Sequence, residues 1–84
     1  MHTVYVLKSL KDGELYIGCT SNLDNRVEYH NQGRVKSTKH RRPFDLIYQE
    51  DYENVYDALK AERRYKSAKG KRELKNKMAL SSNG

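Results

Sequence analysis

The sequence contains few of the residues from which disulfides, zinc sites and membrane spans are built. Among its 84 residues there are one cysteine, one proline, one phenylalanine and no tryptophan. The single cysteine, Cys19, excludes an internal disulfide, and no group of cysteines and histidines has zinc-site spacing. No apolar run is long enough for a membrane span, and the N-terminal segment turns polar at Lys8, too early for a signal peptide. We therefore expect a cytoplasmic protein with no membrane partner.

Acidic residues are also outnumbered by basic ones. The chain has 11 Asp and Glu against 17 Lys and Arg, which gives a formal charge of +6. A positive field concentrates polyanions near the surface, so nucleic acid is a plausible partner, although charge alone does not identify it. The length allows one compact domain and is too short for two separate cores. We expect one monomeric domain over residues 1–80 and a disordered tail over residues 81–84.

The start of the chain has the pattern of a β-hairpin. Two segments rich in β-branched and aromatic residues, 3–10 and 15–19, flank a turn signal. A two-residue turn would place Tyr16 opposite Ser9 and on the sheet face of Tyr5, whereas a three-residue loop with a bulge would reverse the face. The sequence leaves both registers open.

The rest of the chain predicts a helix, a basic loop, a third strand and two more helices. The helix, loop and strand are expected at residues 22–32, 33–43 and 44–50. Asn54 is a good cap for the second helix, and Gly70 is expected to interrupt the chain before a last short helix at 71–80. This ββαβα order with a short C-terminal helix predicts an α+β fold, a small antiparallel or mixed sheet packed against helices.

Glu62 lies on the predicted core-facing stripe of the second helix. The members of that stripe are Val55, Ala58, Leu59, Glu62 and Tyr65. An inward carboxylate needs a cation, because desolvating an unpaired charge is costly. One possibility is an ion pair with Arg26, Arg63 or Lys66. The other is a metal ion, since Mg²⁺ often takes only one or two protein carboxylates and keeps several waters.

Arg26 and His30 are four residues apart on the first helix, so their side chains project from one face and can converge on a single anion. Arginine contacts phosphate oxygens bidentately, and histidine gives or accepts a proton near neutral pH. The alternative is a solvated helix face on which Asp24 and Glu28 are the partners of these groups.

Tyr5 and Tyr16 fit most simply as strand residues that fill a half-buried sheet. A phenol accepts a proton from water only where nearby cations favour the phenolate. Arg26, His30 and a metal at Glu62 are the groups expected to provide such a field.

These residues occur in the order and spacing of a known nuclease signature. The first triplet ends eleven residues before the tyrosine of the second, and an arginine, a histidine and a distant helical glutamate follow. The elements are Thr3-Val4-Tyr5, Tyr16-Ile17-Gly18, Arg26, His30 and Glu62. Together they resemble the signature of the GIY-YIG nucleases, in particular the small stand-alone bacterial members and, more distantly, the N-terminal domain of the excision-repair incision nuclease.

The resemblance implies a three-stranded antiparallel sheet flanked by helices and a metal-dependent DNA endonuclease that acts in DNA repair or DNA processing. By similarity, Tyr5 or Tyr16 activates the attacking water. Arg26 steadies the scissile phosphate, and His30 assists proton movement or phosphate contact. Glu62 holds Mg²⁺ or Mn²⁺ against the leaving 3′ oxygen. The resemblance does not divide the base role between the two tyrosines.

The sequence departs from the family pattern in three places. Thr3 and Val4 replace the Gly-Ile of the first triplet, where only the tyrosine carries chemistry. Cys19 stands where many relatives have lysine, which weakens the positive field of the site. Asn76 does not align with the late asparagine of larger relatives. A thiolate of Cys19 activated by His30 is a further, separate hypothesis for the nucleophile.

The basic loop is the expected contact with the DNA backbone, because it directly follows the helix that carries Arg26 and His30. Its predicted DNA-binding residues are Lys36, Lys39, Arg41 and Arg42. The alternative is a solvated, flexible connection. Four other tyrosines either stack on unpaired bases or complete a tyrosine-rich core; these are Tyr29, Tyr48, Tyr52 and Tyr56.

Two other functions compete with the nuclease. One is a basic nucleic-acid-binding module with a weak or dormant site, which the presence of Cys19 supports. The other is a purely structural core in which Arg26 and Glu62 neutralise one another without a metal. The expected substrate of the nuclease is single-stranded or distorted DNA, because no separate recognition domain accompanies the catalytic one.

Overall fold

Three antiparallel strands form one sheet in the order β2-β1-β3. The strands are β1 (His2–Ser9), β2 (Leu15–Thr20) and β3 (Phe44–Tyr52), and β1 pairs with both neighbours. This computed structural model describes residues 1–81, so the predicted tail lies outside the described residues except for Ser81. The predicted α+β fold with a three-stranded antiparallel sheet is confirmed.

Three helices pack against this sheet. They are α1 (Leu23–Asn31), α2 (Val55–Tyr65) and α3 (Ala68–Ser81), and a single 3₁₀ turn lies at Lys39–Arg41. The side chains of Asn22 and Asn54 accept hydrogen bonds from the first turns of α1 and α2, as expected for N-caps. Among the described helices, none is both long and apolar enough to cross a membrane.

The hairpin places Tyr16 on the same sheet face as Tyr5, although neither predicted turn is present. Ser9 pairs with Glu14 through the hydrogen bond from its backbone N–H to the Glu14 carbonyl, at 3.0 Å. Four residues therefore form the loop, and Gly13 adopts φ 75° within it. Tyr16 pairs with Leu7 rather than Ser9. A four-residue loop keeps the face of a two-residue turn because both lengths are even.

The two faces of the sheet carry separate apolar clusters. On one face, α2 and α3 cover a cluster made of Val4, Val6, Ile17, Ala58, Ala61, Tyr65 and Leu74. On the other face, Tyr5, Leu7 and Phe44 are buried, with Leu23 and Val27 of α1 packed against them. Residues alternate between the faces along β1, as side chains in a strand must.

The predicted core stripe of α2 is wrong at two positions. Val55 and Leu59 are 39% and 45% exposed, while Ala58, Ala61 and Tyr65 form the buried face. The small alanines allow the helix axis to approach the sheet, so the buried stripe is centred on them and the larger aliphatic residues face outward. Glu62 lies at the border of the stripe rather than inside the core.

The predicted interruption at Gly70 is also wrong. Helix α3 already begins at Ala68, and the Ser67 hydroxyl accepts a hydrogen bond from the Gly70 N–H at 3.1 Å. A β-carbon on Gly70 would collide with the carbonyl oxygen of Arg64. Glycine at this position therefore lets the first turn of α3 pass directly against the end of α2.

A network of hydroxyl groups around one carboxylate joins β3 to α2 and α3. Glu50 accepts hydrogen bonds from Tyr48 at 2.5 Å, Tyr52 at 2.6 Å and Tyr65 at 2.8 Å, and from Lys77 at 3.3 Å. Burial acts to raise the pKa of Glu50, but these donors outweigh it and lower the pKa to about 2. We call these five residues the Glu50 network.

Candidate active site

Tyr5 and Gly18 form the base of the candidate site. They pair across β1 and β2, and the Tyr5 ring lies directly over Gly18. A β-carbon at position 18 would fall on the Tyr5 hydroxyl, so the second triplet ends in glycine because the tyrosine of the first triplet needs that space. The ring is held in one place, and its hydroxyl points toward α1.

His30 is fully buried on α1 and uses both ring nitrogens. Nε2 is 3.1 Å from the Tyr5 hydroxyl, and Nδ1 is 2.8 Å from the Thr38 hydroxyl. Thr38 in turn donates to the carbonyl of Val35 at 3.4 Å. Because a carbonyl only accepts, this bond assigns the proton of His30 to Nδ1 and leaves Nε2 to accept the Tyr5 proton.

Arg26 completes a chain of hydrogen bonds on this face. Its Nε donates to the Tyr5 hydroxyl at 3.4 Å, and this bond, with a smaller contribution from Tyr16, raises the pKa of the guanidinium. Within residues 1–81, no carboxylate lies at ion-pair distance from Arg26, so neither Asp24 nor Glu28 neutralises it. We call Arg26, Tyr5, His30 and Thr38 the Tyr5 network.

Tyr16 is the accessible tyrosine of the site. Its ring centroid is 4.8 Å from that of His30 and 6.3 Å from that of Tyr5, and its side chain is half-buried where Tyr5 is fully buried. The structure therefore brings together four of the residues predicted from the sequence, namely Tyr5, Tyr16, Arg26 and His30.

The titration of this cluster favours neutral side chains around one cation. Burial raises the pKa of the Tyr5 phenol, and the hydrogen bond from Arg26 opposes that rise without cancelling it. Burial, aided by the charge on Arg26, lowers the pKa of His30 to about 4. At neutral pH the site therefore holds a phenol, a neutral imidazole and a guanidinium, and the field does not favour the Tyr5 phenolate.

Glu62 lies on α2, close enough to this cluster for its charge to act on Tyr5. Its carboxylate contributes to the raised pKa values of Tyr5 and Cys19, in both cases after burial, which is the larger cause. Its partner is Lys66, one of the three cations expected from the sequence, with Nζ at 3.0 Å. The predicted structural core in which Arg26 and Glu62 neutralise one another is therefore wrong. The side chain of Glu62 is 21% exposed, which leaves the carboxylate open to solvent ions.

The residues at Glu62 fit a divalent metal only with water as the main ligand. In the described part of the chain, no three His, Cys, Asp or Glu side chains are grouped to hold a metal ion. One solvent-accessible carboxylate is sufficient for Mg²⁺, which retains most of its waters. A metal there would compete with the Lys66 ammonium for the same oxygen.

Cys19 does not belong to the cluster around His30. It pairs with Val4 and packs on the sheet face covered by α2, opposite to the face of Tyr5 and His30. Burial and the nearby Glu62 raise the pKa of its thiol. Both observations contradict the hypothesis of a Cys19 thiolate activated by His30.

Side chains of the basic loop contact other parts of the fold, which a solvated, flexible connection would not do. Arg41 donates from Nε to Asp12 at 3.0 Å, and its guanidinium lies 5.7 Å from the centroid of the Phe44 ring. Arg42 lies against Gly33. Lys36 and Lys39 are exposed. The four predicted DNA-binding residues therefore differ in their availability to DNA, since Arg41 already has an acidic partner.

Thr38 is the functional candidate that the sequence did not indicate. It lies within the basic loop, where a threonine between charged residues is expected to face solvent. Instead, it is buried and orients His30 through Nδ1. The loop folds back over α1, and no periodicity in the sequence indicates that contact.

Comparisons with known proteins identify the family of this chain. A UPF0213 protein of Staphylococcus aureus is 44% identical over 75 residues, which cover 88% of this chain and 90% of that protein. A UPF0213 protein of Pediococcus pentosaceus is 52% identical over 63 residues, 74% of this chain and 65% of the relative. The solution NMR structure of UPF0213 protein BH0048 from Bacillus halodurans superposes with a TM-score of 0.54 at 32% identity, covering 99% and 85% of the two chains. Residues 1–77 match the GIY-YIG catalytic domain, and the chain therefore belongs to the GIY-YIG family, a superfamily of nucleases.

Proposed function

We propose that this protein is a metal-dependent endonuclease that hydrolyses phosphodiester bonds of DNA, in DNA repair or another form of DNA processing. The observation that carries the proposal is the Arg26 guanidinium, which is hydrogen-bonded to Tyr5 and has no carboxylate partner within residues 1–81. A fixed cation without a counter-ion is an anion site, and a DNA phosphate is the anion that a GIY-YIG nuclease binds. The nuclease domain extends over residues 1–80.

Arg26 binds the scissile phosphate and stabilises the charge that grows on its nonbridging oxygens. Its hydrogen bond with Tyr5 holds the guanidinium at the edge of the site before substrate arrives. Such preorganisation lowers the barrier because the charge does not have to be assembled during the reaction.

Tyr16 is the group that meets the attacking water. Its side chain is only partly buried, whereas the Tyr5 hydroxyl is buried and already bonded to His30 and Arg26. As water attacks phosphorus, its proton passes to the Tyr16 oxygen and the tyrosine's own proton leaves to solvent. The bond from phosphorus to the 3′ oxygen breaks, and the 3′ oxygen takes a proton from solvent.

Tyr5 and His30 are positioning residues in this mechanism. His30 accepts the Tyr5 proton in a hydrogen bond at Nε2 and is itself held by Thr38, so the orientation of Arg26 depends on a buried chain of neutral groups. Direct contact of His30 with phosphate is not part of the proposal, since the ring is buried with both nitrogens bonded.

Glu62 would hold the Mg²⁺ or Mn²⁺ cofactor, which when bound supplies positive charge to the leaving 3′ oxygen. The carboxylate must exchange Lys66 for the metal, and Lys66 is exposed enough to swing away. The DNA backbone is contacted by Lys36, Lys39 and Arg42. Arg41 contributes less to DNA binding, because its guanidinium is paired with Asp12.

The test is metal-dependent cleavage of labelled single- and double-stranded DNA by the chain, Arg26→Ala and Glu62→Gln. Arg72→Ala and Glu28→Gln, two exposed positions, are the matched controls. We expect the site variants to lose cleavage while the controls retain it. Calorimetric titration with Mn²⁺ gives a second readout, since binding is expected to weaken in Glu62→Gln. Equal cleavage by all five proteins would contradict the proposal.

The competing function is a nucleic-acid-binding module with a dormant site. The Lys66–Glu62 ion pair favours it, because the Lys66 ammonium occupies the carboxylate that would hold the metal. DNA binding without any cleavage in Mg²⁺ or Mn²⁺ would establish this alternative.

A further inference from the structure

The structure separates the tyrosines that belong to the core from those that can meet a ligand. Tyr48 and Tyr52 donate their hydroxyl groups to Glu50 and are half-buried against the core. Tyr29 and Tyr56 remain exposed. Of these two, Tyr29 lies on α1, three residues after Arg26, so their side chains are neighbours on one helix face.

Tyr29 lines a small open groove that begins at the phosphate-binding arginine. The groove is formed by the end of β2 and the first turns of α1, and its lining residues are Thr20, Asn22, Asn25, Arg26 and Tyr29. Because Arg26 belongs both to this groove and to the Tyr5 network, a phosphate held by Arg26 has its neighbouring nucleotide at the groove. We call this feature the Tyr29 groove.

The Tyr29 ring is supported as a flat surface. The Arg34 guanidinium lies over the ring at 5.1 Å from the centroid, and the Arg34 N–H donates to the Tyr29 carbonyl at 3.0 Å. The ring remains 43% exposed despite this contact. An aromatic ring fixed by arginine beside a phosphate-binding group has the chemistry on which unpaired bases stack.

We propose that the Tyr29 groove binds one unpaired nucleobase next to the phosphate held by Arg26, with the base stacked on Tyr29 and the Asn25 amide within reach of its edge. This inference rests on the proposed function, because it places the base relative to a DNA phosphate at Arg26. A base inside a duplex is stacked on its neighbours and paired, so only an unpaired or flipped nucleotide can enter. In the complex, the nucleotide next to the phosphate held by Arg26 is therefore unpaired.

The test separates stacking from phosphate binding. The probe is an oligothymidylate of about ten nucleotides, compared with an abasic oligonucleotide that has the same number of phosphates. Binding is measured by fluorescence anisotropy with the chain and Tyr29→Leu, and Tyr29→Phe tests rescue by a ring without a hydroxyl. Tyr56→Leu is the matched control, because Tyr56 is an exposed tyrosine outside the groove.

We expect Tyr29→Leu to weaken binding of the oligothymidylate by about 5- to 100-fold and to leave the abasic probe unchanged. Tyr29→Phe is expected to restore most of that loss, and Tyr56→Leu to produce none. An equal loss for both probes, or no loss for either, would overturn the inference.

Cleavage of the same probe distinguishes this inference from the proposed function. If Tyr29→Leu shows the base-dependent loss of binding but the unaltered chain cleaves DNA with neither Mg²⁺ nor Mn²⁺, the base subsite stands and the nuclease assignment fails. If Arg26-dependent cleavage is present and Tyr29→Leu cleaves both an abasic-containing and an intact strand like the unaltered chain, the nuclease stands and the base subsite fails.

Discussion

The two faces of the sheet carry two tyrosine-hydroxyl networks that differ in how their charge is balanced. In the Glu50 network, three hydroxyl groups converge on a carboxylate, and Lys77 supplies the opposite charge. In the Tyr5 network, the hydroxyl lies between a neutral imidazole and the guanidinium of Arg26, with no anion among residues 1–81 to complete it. The first network is complete without a ligand. The second needs an anion from outside.

This difference separates a polar cluster that is balanced within the fold from one that is open to an external anion. A partly buried charge that finds all its partners inside the fold contributes to stability and to the specificity of packing. A fixed cation without a partner contributes little to stability and is available to a substrate. Tyrosine content alone would not separate the two, since both networks contain tyrosine hydroxyl groups.

Removal of a single hydroxyl on each face should have opposite consequences. Tyr16→Phe is expected to lower the cleavage rate by about 100- to 10,000-fold, because it removes the accessible proton acceptor, while stability is nearly unchanged. Tyr5→Phe is expected to have a smaller effect on rate, since its role is positioning. Tyr52→Phe is the matched variant of the other face and should retain cleavage but lose stability.

These variants are compared by single-turnover cleavage and by urea unfolding. If Tyr16→Phe and Tyr5→Phe both retained the full rate, the mechanism would be wrong even with the nuclease activity established. A full loss in Tyr5→Phe with no loss in Tyr16→Phe would instead assign the base to the buried tyrosine.

Glu50→Gln should break the balanced network. The amide cannot accept from three hydroxyl groups as strongly as a carboxylate, and Lys77 loses its counter-ion. We expect the free energy of unfolding to fall by about 2–4 kcal/mol. Cleavage measured at a temperature where the variant remains folded should be unchanged. A variant as stable as the original chain would show that the network does not stabilise the fold.

The two networks should also respond to acid in different pH ranges. The pKa of His30 is about 4 in the folded protein against an ordinary value of 6.5, so the unfolded chain binds its proton first. The fold therefore loses stability at His30 as pH falls from 6.5 toward 4. Glu50, with a pKa of about 2 against an ordinary 4.5, contributes stability that is lost as pH falls from 4.5 toward 2.

NMR of the imidazole groups measures the titration of His30 directly. We expect the His30 resonances to titrate near pH 4, and the ¹⁵N shifts above that pH to identify the Nδ1–H form. In Glu50→Gln, the fall in the free energy of unfolding between pH 4.5 and pH 2 should disappear. Titration of His30 near its ordinary pKa would contradict both its burial and the assigned tautomer.

The smallest effect is expected in the basic loop. Replacing Lys36 and Lys39 with Gln should reduce the slope of log affinity against log salt by about one for each phosphate that the loop no longer neutralises. Arg41→Gln should change the slope less and the stability more, because Arg41 already pairs with Asp12. An unchanged salt slope in the double lysine variant would show that the loop does not contact DNA.

The fold was predictable from sequence where local rules decide the structure. The caps at Asn22 and Asn54, the three strands and the order of elements follow from turn chemistry and side-chain preference. The convergence of Arg26 and His30 follows from helical spacing, and the family resemblance added Tyr5 and Tyr16.

The remaining features depend on contacts between distant segments. The buried face of α2 is set by how closely two alanines approach the sheet, which a stripe of apolar residues does not specify. Glycine is required at position 70 of α3 because a β-carbon there would collide with the carbonyl oxygen of Arg64 in α2. The burial of Thr38 likewise depends on tertiary packing. The pairing of Glu62 with Lys66 does not, because the two residues are four apart at the end of α2 and the sequence already named Lys66 as a possible partner.

The close pairing of Tyr5 with Gly18 has a consequence for how this fold accommodates added sequence. The spacing of the two triplets along the chain can vary as long as the strand register is kept, because the pairing of Tyr5 with Gly18 is what sets their geometry. Doubling the length of a flexible loop costs only about 0.6 kcal/mol of closure entropy. The hairpin tip is therefore a position where a recognition segment can be inserted while the chemistry behind it stays in place, at the expense of the loop's own contacts, among them those of Asp12 with Arg41 and of the Leu10 N–H with the Pro43 carbonyl.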